Sequence, residues 1–386
     1  MGSARIESTR QGLKRILLNA KILNMVKPIL FSTTPESLKQ EGLGETIAVW
    51  EDGLRADTGR GSFEWWYFDA HFDDPSTDEK ARGSTAVVVF STKPLLERSG
   101  PLKPNVSVTI TRPDGAKLMQ FPIFPADQFS ASMEFCDVRI GPNWTKGDLH
   151  RYELHVETNG LGADLVFTGL VPAWRPGAGN VHFGDQDHYF AWLPSIPFGT
   201  VEGTLTFDGR TYHVRGSGYH DHNWGNVGLN DVMDHWYWGR AHIGDFTLIY
   251  VEQIASQAYG FARMPVFMLA KGSEILTGSS ETLKMEARDF VDHPGGRGYP
   301  REVDFNWTSG TGSVHLYLRN PKVIEATSLL LLFPKWQQWI ARLFADPYYF
   351  RFNADLSLEI NLKNIKAREQ GQALYEIMIL QGRKHP

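Results

Sequence analysis

Seven of the thirteen histidines fall between residues 182 and 242. Two stand in the stretch Gly218 to Asn226, GYHDHNWGN, beside an aspartate, an asparagine, a tyrosine and a tryptophan. A chain that needed only a turn there would use Gly, Asn or Asp and little else. Three kinds of chemistry suit these residue types. His220 and His222 are two apart, so on a strand they share a face, and with His188 or Asp187 they could hold a metal. Asp221 and the histidines could instead serve as acid and base in an aromatic pocket. Or the group could be a buried hydrogen-bond network that ties two halves of the chain together.

A second candidate lies just downstream. Gly244-Asp245 separates two alternating runs, HWYWGRAHI and FTLIYVEQ. A two-residue loop pairs Ile243 with Phe246, Gly239 with Tyr250 and Tyr237 with Glu252. Tyr237, Gly239, Tyr250 and Glu252 then share one face. That face is either a pocket or the solvent side. In a pocket, desolvation would raise the Glu252 carboxyl's pKa and let it hold a proton near neutrality.

The elements that must position these groups are strands. EWWYFDAHF, TAVVVFST, RYELHVET, ADLVFTGLV, FRFNADLSLEINL and ALYEIMIL all alternate with period two. Pro113-Asp114-Gly115, Asn159-Gly160 and Asp208-Gly209 mark hairpins between them. Many short strands joined by hairpins indicate an all-β protein of antiparallel barrels or sandwiches. The boundaries read as an N-terminal extension over residues 1–45, a first β domain over 46–227 and a second over 228–386. The histidine stretch then sits where the two domains meet, a favoured place for ligand sites.

Composition narrows the function classes. The chain has 386 residues and a net charge of −5, so bulk nucleic-acid binding is not expected. It carries 12 Trp, 13 Tyr and 23 Phe, which suits β structure and an apolar ligand site. The single cysteine, Cys136, excludes an internal disulfide and reads as a small buried hydrophobe. A reducing compartment, or indifference to redox, follows, and the expected location is cytoplasmic. Residues 10–31 are apolar and basic, but Lys21 and Lys27 interrupt any membrane span. They read as an N-terminal helix packed on the body, with peripheral membrane contact as the alternative. A second helix is expected near residues 335–345. No nucleophile elbow, phosphate loop or dinucleotide fingerprint is present.

FEWWYFDA, GYHDHNWGN, WYWGRA and YVEQ, taken in order, resemble the hydroxyneurosporene synthase family, which includes carotenoid 1,2-hydratases and AttH-like proteins. The resemblance runs over roughly residues 45 to 386. It implies two consecutive lipocalin-like β domains with a ligand pocket between or within them, and chemistry without a cofactor. The hydratases add water to a terminal isoprenoid double bond; plant tocopherol cyclases and fungal decalin-forming Diels–Alderases are more distant relatives. The family's catalytic His-x-Trp pair is matched by His222 and Trp224. Its Tyr-x-Asp pair is matched by Tyr250 and Glu252, with Glu in place of Asp.

The expectation is an enzyme that protonates a double bond of a hydrophobic polyene or isoprenoid-type molecule and lets water or a second double bond capture the cation. Glu252 is the expected proton donor, with Asp221 as second choice, and His222 and Tyr250 orient substrate or water. Trp224, Trp65, Trp66, Tyr67, Tyr237, Trp238 and His220 are expected to contact the substrate. No metal or other cofactor is assigned. A pericyclase using the same pocket and a non-catalytic carrier of hydrophobic ligands are the alternatives.

Overall fold

A computed structural model describes residues 26–31, 34–94, 97, 100–278, 282–328, 347–381 and 385–386. The alternating runs become antiparallel strands because each can bury one face while its backbone is satisfied by neighbours. Each hairpin signal marks a turn: Asp208 and Gly209 take φ of 51° and 71°, the doubly positive pair that a two-residue turn favours. The Gly244-Asp245 turn sets the expected register, with Tyr237 opposite Glu252 and Gly239 opposite Tyr250.

Among the described residues the strands form two sheets, one of thirteen and one of nine strands. The first uses strands from Ile29–Phe31 through Arg210–Gly225. In it, Tyr189–Phe207 pairs with Arg210–Gly225, which pairs with Phe63–Phe72. The second sheet runs from Met233–Ile243 to Ile365–Ile379, and those two strands lie side by side. The fold is thus two consecutive lipocalin-like antiparallel β units.

Three apolar cores result among the described residues. Trp66, Phe68, Phe90, Tyr152 and Phe167 pack inside the first sheet. Tyr237, Tyr250, Phe267, Phe305 and Trp307 pack inside the second. A third core draws on both sheets, with Phe63, Trp192 and Tyr219 from one and Met233, Ile249 and Val251 from the other. At roughly 1.5–3 kcal/mol per fully buried large side chain, this junction is a major adhesive between the units.

Most of the expected N-terminal helix lies outside the described residues, but Ile29–Phe31 is a strand paired with Val181–Phe183, not a helix. A short helix instead spans Pro35–Gln40. The segment 335–345 lies outside the described residues. Its upstream flank, Val323 to Ser328, continues the strand Gly312–Ser328.

Candidate active site

The strand Arg210–Gly225 presents alternate residues to opposite sides, and its neighbour Phe63–Phe72 does the same in register. Phe68 faces His220, Tyr67 faces Asp221, Trp66 faces His222 and Trp65 faces Asn223. Even-numbered side chains enter the first unit's interior. Odd-numbered ones enter the junction between the sheets.

On the interior side, a closed polar network surrounds Asp52, which sits on the 3-10 turn Val49–Asp52. Asp52 accepts from Ser195 Oγ at 2.8 Å and from the Tyr152 hydroxyl. His220 Nε2 lies 3.4 Å and His222 Nδ1 3.3 Å from its two carboxylate oxygens. His222 Nε2 reaches Glu64 Oε1 at 2.7 Å, and Glu64 also accepts the Arg55 and Ala56 backbone N–H groups at 2.8 Å each. Burial alone would push the His222 pKa down. The Asp52 and Glu64 carboxylates outweigh it and bring it up to about 9. Burial would likewise raise Asp52, but His220 and His222 hold it well below the usual range. Trp66 stacks on His222 with ring centroids 4.7 Å apart, and Phe68 stacks on His220 at 3.9 Å.

This network settles several expectations. His220 and His222 do share a face, but they look into a packed core. The network binds a turn to the first sheet rather than binding the two units to each other. Asp52, Cys136 and His220 bring donor atoms within 4.8 Å of one another, the spacing of a potential metal site. The donor set suits a metal poorly: burial pushes the Cys136 thiol well up, away from the thiolate that a metal binds, and Asp52 already accepts from Ser195 and Tyr152. The proposed partners His188 and Asp187 lie elsewhere, with exposed His188 bonded to Asp185 at 2.7 Å.

On the junction side, Trp65, Tyr67, Phe190, Trp192, Asp221 and Asn223 meet Trp236, Trp238, Val251, Gln253 and Glu376 across a cavity of about 140 Å³. Asp221 accepts three hydrogen bonds, from Trp192 Nε1 at 2.8 Å, the Tyr219 hydroxyl at 2.8 Å and Asn223 Nδ2 at 2.7 Å. Burial pushes its pKa up; the three donors pull it part of the way back. Glu376 comes from the second sheet. Burial pushes its carboxyl up to about 6, against the opposing pull of Arg351 and the Tyr349 hydroxyl. Its Oε1 makes no hydrogen bond, with Arg351 Nε 3.5 Å away.

Beside the pocket the two units are clamped by charge. Asp69, from the first sheet, is paired with Arg240 and lies 3.3 Å from Arg351, both from the second. All three are largely buried, so each ion needs its partner.

The expected site residues therefore divide. Asp221, Trp65, Tyr67 and Trp238 line the junction pocket. His222, His220, Trp66 and Trp224 do not, because they occupy even positions of their strands. The Trp224 ring lies tilted against His222, with centroids 4.7 Å apart. Glu252, Tyr237 and Tyr250 lie on the opposite face of their strands from pocket residues Val251, Gln253 and Trp238. Their shared face is neither pocket nor solvent: Tyr237 and Tyr250 belong to the second unit's core, and buried Glu252 pairs with half-exposed Arg263. Burial raises Glu252 as expected, though Arg263 opposes it. Sequence reasoning missed Glu376, Gln253, Trp192, Asn223, Asp69, Asp52 and Glu64. Asn223, Glu64 and Asp69 stood inside the quoted motifs, and tracking strand parity through them would have separated the two faces. Nothing local to Glu376 marks it.

A two-unit lipocalin-like fold with an aromatic, carboxyl-bearing pocket at the junction defines the class. The sequence pattern of the AttH-like family matches residues 57–322, and the chain belongs to that family. It is 25% identical over 215 residues to the quinolone epoxide rearrangement protein penF of Penicillium thymicola, covering 50% of this chain and 56% of that one. It is 29% identical over 134 residues to a hydroxyneurosporene dehydrogenase of Chlorobaculum tepidum, covering 32% of this chain and 29% of the other. The chain thus spans about half the length of the first relative and under a third of the second. Among solved structures, CghA superposes with a TM-score of 0.59 at 13% identity, over 92% of this chain and 99% of CghA. That likeness is one of fold.

Proposed function

We propose that the junction pocket is the active site of a cofactor-free enzyme that protonates a hydrophobic substrate and directs the resulting cation. The observation that carries this reading is the convergence of Asp221 and Glu376, from different sheets, on one aromatic cavity. Glu376 is the acid, since its carboxyl titrates near pH 6 and one oxygen is free of hydrogen bonds. It gives its proton to an epoxide oxygen or an alkene carbon. The C–O or π bond breaks and leaves a carbocation. Trp and Tyr ring faces stabilise that charge, and Asp221, fixed by three donors, faces it and takes the proton released afterwards. Migration of a neighbouring group gives a rearranged isomer, capture by a double bond gives a ring, and capture by water gives a hydrate. None of these outcomes needs an oxidant or reductant. The relative named for quinolone epoxide rearrangement supports including epoxides beside the alkenes expected from sequence.

The test is incubation of the purified chain with aryl epoxides and isoprenoid alkenes, with products followed by mass spectrometry. Wild type should form products isomeric with the substrate or heavier by one water, and Glu376→Gln should lose at least about 100-fold in rate. Equal rates in the two proteins would remove the acid and favour a pericyclase. A ligand recovered unchanged from both would favour a carrier.

A further inference from the structure

The junction core reaches a surface where apolar side chains turn outward. In the strand Ile29–Phe31, Ile29 and Phe31 pack on that core, while Leu30 between them is 41% exposed. Val26, just upstream, is 63% exposed. This run lies across the 3-10 turn Gln257–Tyr259. The Lys27 N–H donates to the Ala258 carbonyl at 2.9 Å, and the ring of Phe183, opposite Ile29, meets Tyr259 edge-on at 5.4 Å. Beyond the turn stands Phe261, 37% exposed. Val26 reaches its neighbour Gly260, where an added Cβ would meet Val26 Cγ1 at 3.0 Å.

Phe261 has an unusual conformation for a residue that only turns the chain. Gly260 and Phe261 take φ of 66° and 56°. Glycine adopts that region freely, whereas a bulky side chain is strained there. The strained position nonetheless carries a phenyl ring at the surface.

Charge indicates what covers this face. The chain reaches Val26 from a segment outside the described residues. From Arg10 to Lys27 the sequence carries five cations, Arg10, Lys14, Arg15, Lys21 and Lys27, and no carboxylate, although the whole chain has a net charge of −5. Asp185 and Asp231 add negative charge near Tyr259, but they are fewer than the cations that arrive with the chain. Exposed apolar tips beside concentrated positive charge are the complement of an anionic lipid surface.

We infer that this protein docks on anionic membranes through Val26, Leu30 and Phe261. The docking face is tied to the junction cavity. The Ser256 N–H donates to the Val232 carbonyl and its Oγ to the Asp231 carbonyl, both at 2.8 Å, and Leu229 and Met233 on either side of that pair line the cavity. A docked molecule therefore holds one wall of the cavity near the lipid.

The experiment is co-sedimentation of the full chain with vesicles of phosphatidylcholine, alone or with about one third phosphatidylserine. Wild type should partition onto the anionic vesicles at least about tenfold more strongly than onto the neutral ones, and high salt should remove most of the difference. Leu30→Asp and Phe261→Gly should each bind the anionic vesicles at least about fivefold more weakly. Phe261→Gly is the decisive variant, because glycine suits a φ of 56°: it should melt within a few degrees of wild type while binding less. Wild type that ignores both kinds of vesicle, or binds both equally, would overturn the inference. So would either variant binding like wild type. A dimer formed without vesicles and split by Leu30→Asp would give the face to a second copy of this chain and overturn it too. Docking is read without turnover, so it stands or falls apart from the chemistry assigned to Glu376.

Discussion

Asp221 and His222 are covalent neighbours that belong to different environments. The Asp221 carboxylate accepts Trp192 Nε1 at 2.8 Å in the junction pocket, while His222 Nε2 meets Glu64 at 2.7 Å inside the first unit. Their side chains leave the same strand in opposite directions, so equivalent substitutions should have unlike effects. Asp221→Asn should cost turnover, roughly 100-fold or more, with a melting temperature within a few degrees of wild type. His222→Ala should unfold more easily by roughly 3 kcal/mol, because it removes the ring that Asp52 and Glu64 share and leaves a cavity under Trp66, with His220 and the remaining donors only partly compensating. Paired kinetics and denaturant melts would check both, and a reversed pattern would refute the assignment of faces.

Stability should respond to pH through the same histidine. Its pKa is about 9 in the folded chain against 6.5 as the ordinary value. The folded state therefore holds that proton more tightly. The contribution is fully present below about pH 6.5 and fades as pH rises through 9, with an upper size of roughly 3 kcal/mol. Urea midpoints at pH 6, 8 and 9.5 should fall in that order, and His222→Gln should flatten the trend.

Activity should show a separate limb set by Glu376. The rate needs its protonated form, so it should decline as pH rises through about 6. The charge clamp provides the signed control. Asp69 adds negative charge near Glu376 and raises its pKa, so Asp69→Asn should move the limb to lower pH. Arg351 acts oppositely, and Arg351→Gln should move it higher. Shifts in the same direction for both variants would show that the limb belongs to another group.

Glu252→Gln should lower the rate by less than about tenfold. Its carboxyl pairs with Arg263 away from the pocket, so the lost interaction is one of structure and should appear in the melting temperature. A loss of orders of magnitude in rate, at unchanged stability, would return Glu252 to the centre of the chemistry.

Glu252 shows what is legible in the sequence. Period-two alternation and the Gly244-Asp245 turn were enough to find the hairpin and its pairing of Tyr237 with Glu252. They could not say which face of that hairpin meets the other sheet, because both faces are apolar: Trp236 and Trp238 on one, Tyr237 and Tyr250 on the other. A strand buried on both sides loses the contrast that reveals its inside. Resemblance to a family found the right motifs, yet the same motifs supply both a pocket wall and a buried network. Glu376 was invisible for a different reason. It lies about 150 residues beyond Asp221, and only the pairing of Met233–Ile243 with Ile365–Ile379 brings it there.

The division of labour along Phe63–Phe72 and Arg210–Gly225 also governs how this scaffold can diverge. Odd positions such as 65, 67 and 223 line the cavity, while the even positions behind them pack the first unit's core. Selectivity and foldedness are inherited through interleaved but separate sets of codons. Gly218 and Gly225 let the strand lie close against its neighbours in this register, since a Cβ would come within 2.4 Å of Val201 Cγ2 at the first and of the Tyr189 carbonyl oxygen at the second. A slip of one residue would turn every specificity position into a core position at once.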